Sequence, residues 1–117
     1  MDEYAYVVNV EAAVVRDGEY LCIERSADED HAAGLLAFPG GKVEQEPGTA
    51  DTIEATARRE VMEEVGVEVG AVTYVRSRTF ETDGGTPCLN VVTRCEYDDG
   101  DARPLEPAEV AAVHWLD

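Results

Sequence analysis

The fold of this chain is decided by the stretch Arg59-Glu60-Val61-Met62-Glu63-Glu64-Val65-Gly66-Val67. On an α-helix successive residues turn by about 100°, so the three Glu side chains share an arc of about 100° on one face. Val61 and Val65 form an apolar stripe beside that arc, and such a stripe can pack on a sheet. The stretch therefore predicts a helix whose acidic side chains lie next to the protein core.

Signals for both ends of this helix lie outside the stretch or at its end. Asp51 precedes the helical pattern, and Asp is a residue type that caps a helix N-terminus with its side chain. Gly66 follows the pattern and is the usual residue at a helix C-terminus. We therefore predict one α-helix, Thr52–Val65, with Asp51 as its N-cap.

The clustered carboxylates need a positive partner. Like charges three or four residues apart cost a few tenths of a kcal/mol each, and acids in the last turn oppose the helix dipole. Arg59, four residues before Glu63, is one candidate partner. A hard divalent cation such as Mg²⁺ or Mn²⁺ is another, because such ions take carboxylate and carbonyl oxygens. The third reading is a solvated acidic face, which is common in a chain this acidic.

The rest of the chain reads as short strands joined by turns. Apolar runs bounded by Gly, Pro and Asp are typical of strands and hairpins. They predict a first hairpin (residues 4–15 and 20–25), a short apolar run (35–38), a second hairpin (68–80 and 87–96), a charged loop (98–107) and a last strand (110–116). Pro39-Gly40-Gly41 ends the short run and turns the chain sharply. Residues 1–117 are predicted to form one domain.

Charge limits the classes of function. The chain carries 26 Asp and Glu against 9 Lys and Arg, a formal net charge of −17. Such a surface repels phosphate backbones and anionic lipids, which argues against a nucleic-acid polymer or a membrane as partner. An acidic composition with Lys42 as its single lysine is typical of cytosolic proteins of halophiles. An acidic protein from an ordinary cytosol is the alternative.

Cysteine and histidine give no sign of a metal site. Cys22, Cys88 and Cys95 show no C-x-x-C spacing, so neither a zinc knuckle nor a disulfide framework is predicted. His31 and His114 are interpreted as a loop and a strand residue. The sequence contains no apolar run long enough for a membrane span and no signal-peptide pattern. We expect a soluble, cytoplasmic protein.

The stretch around the helix end resembles a known motif. Residues 59–67 match R-E-U-x-E-E-x-G-U, where U is a bulky apolar residue, and this pattern is the second half of the Nudix box. Residues 38–44, Phe-Pro-Gly-Gly-Lys-Val-Glu, resemble its first half, and the later strands and Trp115 follow the order of such hydrolases. The resemblance implies an α/β fold: the Nudix α/β/α sandwich, with a mixed β-sheet and one catalytic helix. The further helix usual after the last strand would lie beyond Asp117, or other cover such as a partner subunit would replace it.

One part of the box departs from the family pattern. The spacing from Gly41 to Arg59 is about four residues longer than G-x5-E-x7-R allows. We place the extra residues at 45–50. Asp51 then stands where the family has Glu, which puts the family role of that position near the metal in doubt here.

The resemblance implies a MutT-like hydrolase that uses Mg²⁺ or Mn²⁺ to cleave the diphosphate of a nucleoside diphosphate derivative. The metal ligands that it implies are the carbonyl of Gly41 and the carboxylates of Glu60, Glu63 and Glu64. Arg59 would orient Glu60 or Glu63 as a positioning residue.

Two glutamates compete for the role of general base. Glu64 is one. Glu109, six residues before Trp115, is the other, because it occupies the position of one such residue in MutT-like members, where it would serve as metal ligand or base. A plain loop residue is the alternative interpretation of Glu109.

Three further residues are candidates for substrate binding. Arg25 ends the second strand and either contacts phosphate or nucleotide or is a surface residue at a strand end. Phe38 either stacks on a base or belongs to the core. Lys42 lies within the box and is a candidate for holding the diphosphate.

Two functions of different classes follow. The first is the hydrolase, with oxidised dNTPs and ADP-ribose both open as substrates. The second is a Nudix-like module that senses a nucleotide without turnover. Such a module would be expected to lose the helix carboxylates, and all three are present, so the enzyme is favoured. A homodimer is a further possibility on which these residues are silent.

Overall fold

The computed structural model describes residues 2–26 and 34–117. After a single 3₁₀ turn, Asp2–Tyr4, the chain forms seven strands and one α-helix within the described part. The elements are β1 (Val7–Arg16), β2 (Glu19–Arg25), β3 (Leu36–Ala37), β4 (Gly40–Lys42), α1 (Thr52–Val65), β5 (Glu68–Glu81), β6 (Pro87–Asp99) and β7 (Val110–Leu116). His31, interpreted from the sequence as a loop residue, lies outside the described residues.

All seven strands belong to one mixed sheet, as predicted. The main path runs β3-β2-β1-β6-β5, with β4 pairing β1 and β7 pairing β2. Strands β1 and β6 are parallel over their whole contact, from Val7 opposite Cys88 to Val15 opposite Glu96. The other pairs are antiparallel. β1 therefore lies in the middle of the sheet, between β6 and the pair β2 and β4.

The first hairpin forms at the predicted turn. Asp17 and Gly18 both adopt positive φ, 51° and 82°, which is the conformation of a two-residue turn between twisted strands. The predicted first strand is three residues too long at its start, because residues 2–4 form the 3₁₀ turn. Strand β6 continues past the predicted end at Glu96 because Asp99 pairs with Glu68.

Helix α1 has the predicted bounds, but its N-terminus is not capped in the predicted way. Asp51 adopts a left-handed conformation (φ 51°, ψ 46°), and its side chain makes no cap hydrogen bond. A side-chain cap needs an extended backbone at this position, so the left-handed turn removes it. At the other end Gly66 adopts φ 74° and donates its N–H to the carbonyl of Met62, as a C-terminal glycine does.

The helix packs on the sheet through its apolar stripe. Ala57, Val61 and Val65 are fully buried, and they join Val10 and Val14 of β1 in the core cluster. Each buried valine contributes about 1.5–3 kcal/mol relative to an exposed one. The stripe fixes the rotation of α1 and therefore the direction of the neighbouring glutamates.

The charged loop after β6 is more than a connection. The backbone N–H groups of Arg103 and Leu105 donate to the carbonyls of Val65 and Glu64, at 3.1 and 2.9 Å. The last carbonyls of a helix have no partner within the helix, and the loop supplies one for each of these two. This docking holds the segment that leads to β7 against the end of α1.

All three cysteines are free; Cys88 and Cys95 are buried, whereas Cys22 is half-buried. His114 lies in β7, as interpreted from the sequence. None of the described helices has the length and apolarity that crossing a membrane requires.

Candidate active site

Glu64 is a buried carboxylate in the last turn of α1. It is 4% exposed, and the backbone N–H of Gly40 donates to its Oε1 at 3.3 Å. Burial raises the pKa of Glu64 to about 8, and the negative charges of Glu60, Glu109 and Glu106 act in the same direction. The hydrogen bond from Gly40 lowers the pKa, but burial dominates. Perturbed carboxyl groups in a cavity are typical of functional sites.

The two glycines of β4 allow the helix glutamates to approach the sheet. Gly40 and Gly41 pair with Glu11 and Val10 of β1. A Cβ at Gly40 would collide with the carbonyl oxygen of Val10, and a Cβ at Gly41 would overlap the carboxylate of Glu60. The Gly-Gly pair is therefore required by close packing on both sides of β4.

Arg59 links the helix to the segment that follows β4. Its Nη2 donates to Glu60 Oε1 and to the carbonyl of Lys42, both at 2.9 Å. Its Nη1 pairs with Glu44 at 3.0 Å, and Glu63 lies at 3.9 Å from Nε. The hydrogen bond with Glu60 is the main cause of a raised Arg59 pKa. One guanidinium thus joins the Glu60 carboxylate to the carbonyl of Lys42.

Glu109 reaches the site through the docked loop. Its carbonyl accepts a hydrogen bond from the N–H of Ser26 at 2.9 Å, and its own N–H donates to Glu106 at 2.9 Å. The side chain of Glu109 lines the same cavity as Glu60 and Glu64. A hydrogen bond with the Glu109 side chain raises the pKa of Glu106. The structure therefore brings Glu109 to the helix carboxylates, which its distance along the sequence does not reveal.

A cavity of about 410 Å³ contains most of the predicted site residues. They are Arg25, Gly41, Lys42, Arg59, Glu60, Glu64 and Glu109. Glu63 does not line this cavity; its side chain is 51% exposed at the outer side of Arg59. Phe38 lies in a smaller neighbouring pocket, and its ring packs against Tyr20 with centroids 6.1 Å apart.

A second, larger cavity adjoins the first. It has a volume of about 640 Å³ and shares Asn9, Arg25 and Lys42 with the carboxylate cavity. Its wall includes Phe80, which is 41% exposed. Sequence reasoning missed both Asn9 and Phe80. The signal for Asn9 was a polar residue within the apolar run Val7-Val8-Asn9-Val10, whereas Phe80 carries no local signal.

The donors at the helix end fit a hard divalent cation in their chemistry. Glu60, Glu64 and the backbone of Gly41 offer oxygen ligands around one cavity, and a cation bound there would lower the pKa of Glu64, which burial raises. Within residues 2–26 and 34–117, no three Asp, Glu, His or Cys side chains already converge on one point as metal ligands. The carboxylates are thus adjacent but not closed around an ion.

Comparison with known proteins agrees with the sequence motif. The NUDIX domain family matches residues 5–117. Over 79 residues the chain is 38% identical to the CTP pyrophosphohydrolase of Escherichia coli (strain K12), which covers 67% of this chain and 55% of that protein. Over 104 residues it is 36% identical to the NAD-capped RNA hydrolase NudC of Chromobacterium violaceum, covering 89% of this chain and 36% of that protein. The chain therefore spans only about half or a third of these relatives.

A solved structure shows the same architecture. The MutT NUDIX hydrolase from Burkholderia pseudomallei superposes with a TM-score of 0.81 at 28% identity, and the match covers 96% of this chain and 83% of that one. The mixed sheet with one helix, the buried glutamate at the helix end and the family match over almost the whole chain agree. The chain belongs to the Nudix domain family.

Proposed function

We propose that this protein hydrolyses the diphosphate linkage of a nucleoside diphosphate derivative and requires Mg²⁺ or Mn²⁺. The observation that carries the proposal is the cavity in which Glu60 and Glu64 lie against the Gly40-Gly41 backbone, with Arg25 and Lys42 on its wall. Acidic and basic groups in one cavity fit a substrate that brings phosphate together with a cation.

The metal ligands in this proposal are Glu60, Glu64 and the Gly41 carbonyl, with Glu63 as the fourth. Glu63 must turn inward from its exposed position to take part. When bound, the divalent cation would neutralise the charge on the phosphoryl oxygens and lower the pKa of the water that it binds. Arg59 holds Glu60 in place, because its guanidinium donates hydrogen bonds to both the Glu60 carboxylate and the carbonyl of Lys42.

The remaining groups bind the substrate and move the proton. Arg25 and Lys42 line the cavity and are the groups proposed to contact the phosphates. Either Glu64 or Glu109 takes the proton from the attacking water; both line the cavity, and the side chain of Glu109 shares a hydrogen bond with Glu106. The nucleoside would occupy the cavity of about 640 Å³, where Phe80 offers a ring for stacking.

The names of the relatives support a nucleotide substrate. One relative is a CTP pyrophosphohydrolase and another a NAD-capped RNA hydrolase, and a triphosphate and a dinucleotide both contain the linkage proposed here. Oxidised dNTPs and ADP-ribose remain within the class, and Phe38 is retained as a candidate for base stacking or for core packing against Tyr20.

The test is phosphate or pyrophosphate release across a panel of nucleoside triphosphates, NAD and ADP-ribose, with and without Mg²⁺. We expect release from at least one nucleotide, strictly dependent on the cation, and its loss in Glu64→Gln. Glu54→Gln, in the first turn of the same helix, is the matched control. Complete inactivity together with tight nucleotide binding would instead support the sensing module.

We further propose a halophilic, cytoplasmic origin from the net charge of −17. A carboxylate coat is stable where salt shortens the screening length to about 3 Å. The unfolding midpoint should rise between dilute buffer and about 2 M KCl. Equal midpoints would contradict this origin. The possible homodimer stays a prediction, which sedimentation in the same buffers tests.

A further inference from the structure

Two arginines on the sheet have no role in the proposed reaction. Arg76 and Arg78 lie on β5, opposite Val92 and Asn90 of β6. Residues two apart on a strand point to the same side, so these guanidinium groups leave the sheet on one face, with Cα atoms about 7 Å apart. This is the face opposite to the one on which Val10 and its neighbours pack against α1.

The two arginines line a concave site. A cavity of about 230 Å³ is formed by Glu11, Arg76, Ser77, Arg78, Asn90 and Val92. The Glu11 carboxylate is held by the side-chain amide of Asn90 and offsets only one of the two positive charges. Among the residues that the structure describes, neither arginine forms an ion pair.

Most of the other arginines of the described chain have a partner for their side chain, whereas the exposed Arg103 forms no ion pair among the described residues. Arg16 lies over the Trp115 ring at 3.9 Å, Arg58 donates to a backbone carbonyl, and Arg94 pairs with Glu96 at 2.6 Å. In a chain with a net charge of −17, carboxylates are abundant as partners. Arg76 and Arg78 are exposed and share Glu11 as one carboxylate on the wall of their cavity, so one of the two positive charges is not offset there, and an anion between them would balance it.

The site is connected to the carboxylate cavity by a row of hydrogen bonds. The amide of Asn9 donates to Asn90 Oδ1 at 2.8 Å, and Asn90 donates in turn to Glu11. Asn9 lines the carboxylate cavity and Glu11 lines the arginine site. Arg78 is two strand spacings from Asn9, about 10 Å, which is comparable to the reach of a nucleoside.

We propose that Arg76 and Arg78 form a second anion-binding subsite, which takes a phosphate carried on the ribose of the substrate. The inference rests on the proposed function for the nature of the substrate. Paired guanidinium groups bind phosphate through parallel N–H donors, which a single lysine or an amide does not supply. Nucleotides with a 2′- or 3′-phosphate are therefore bound more tightly than those without it.

The experiment is calorimetric titration in EDTA, at the lowest KCl concentration at which the chain is folded by circular dichroism. AMP is compared with adenosine 2′,5′-bisphosphate and adenosine 3′,5′-bisphosphate. Net charge alone predicts weaker binding of the bisphosphates, because the protein is strongly negative. The subsite predicts the opposite, with at least one bisphosphate bound about tenfold more tightly than AMP.

Variants locate the effect. Arg76→Gln combined with Arg78→Gln should abolish the preference, and Arg103→Gln, an exposed arginine beside the helix C-terminus, should keep it. If the double variant does not fold, Arg78→Lys retains the charge and should still lose most of the preference. The inference is overturned if no bisphosphate binds more tightly than AMP, or if the preference survives the loss of both arginines. No turnover is measured, so an inactive protein that retains the preference refutes the proposed function alone.

Discussion

The last turns of α1 and the segment 40–51 before it face the same cavity, but they contribute different parts of the chain. The helix contributes side chains: Glu60 and Glu64 point from one face towards β4. The segment before it contributes backbone, because the N–H of Gly40 and the carbonyl of Lys42 bind Glu64 and Arg59. From residue 44 to residue 51 every position is exposed. Side-chain spacing is thus strict on the helix, whereas the loop tolerates extra length.

The largest effect is expected on the helix side. Glu64→Gln should reduce turnover by about 100-fold or more, because it removes a metal ligand or the general base. Glu54→Gln should leave turnover unchanged. The measurement is the steady-state rate with Mg²⁺ on the best substrate of the panel, with circular dichroism to verify the fold. Near-normal turnover in Glu64→Gln would exclude Glu64 from the site.

On the loop side, backbone position should matter only next to the cavity. Gly41→Ala introduces a Cβ into the Glu60 carboxylate and should lower turnover by about 10- to 100-fold, because displaced catalytic groups lose their alignment. Gly48→Ala meets open space and should cost only about 1 kcal/mol of stability, because φ is 91° there. Equal losses of turnover in both variants would show that the whole loop, rather than its first residues, supports the site.

The contact between the two regions can be weakened without removing charge. Arg59→Lys keeps one cation but cannot bridge Glu60, Glu44 and the Lys42 carbonyl together. We expect the Mg²⁺ concentration for half-maximal rate to rise about tenfold. Arg58→Lys, which loses a hydrogen bond to Val69 on the other side of the helix, is the control and should affect stability only. An unchanged Mg²⁺ requirement in Arg59→Lys would remove Arg59 from its positioning role.

Because the pKa of Glu64 is raised, the stability of the metal-free protein should depend on pH. Its folded value of about 8 lies above the ordinary 4.5, so ionisation costs stability. That cost is absent below pH 4.5 and is complete once the pH has passed 8. In EDTA, Glu64→Gln should therefore become more stable than wild type as pH rises through this window, by several degrees in Tm. A difference in Tm that stays constant with pH would show that Glu64 is not held protonated.

The features of the site that could be predicted from the sequence are those of the helix, whereas those of the loops could not be predicted. Helical periodicity predicted the bounds of α1 and the shared face of Glu60 and Glu64, because both depend on local geometry. The docking of Leu105 onto the helix end, and with it the position of Glu109, depends on contacts between distant residues and carries no periodic signal. Glu63 shows the limit of the local argument: its spacing matches the motif, but its side chain is 51% exposed and does not line the cavity.

The same limit applies to the predicted cap at Asp51. A residue type favours a cap only if the backbone there is extended, and Asp51 adopts a left-handed conformation instead. Asp is indeed a residue type that favours helix N-caps, but the sequence does not reveal the backbone conformation at residue 51. The distinction can be measured, since the two geometries rank substitutions differently.

Asp51 variants provide the smallest expected effect and test the loop side alone. If the Asp51 side chain capped α1, Asp51→Ser would retain the wild-type free energy of unfolding and Asp51→Gly would lose a few tenths of a kcal/mol. With φ at 51° and no side-chain bond, Ser is the strained residue and Gly is not. We therefore expect urea denaturation to show Asp51→Gly more stable than Asp51→Ser by about 1 kcal/mol. Turnover should be unchanged in both, because Asp51 does not line the carboxylate cavity. If Asp51→Ser were instead more stable than Asp51→Gly, the Asp51 side chain would cap α1, and the start of the helix would be determined by this residue.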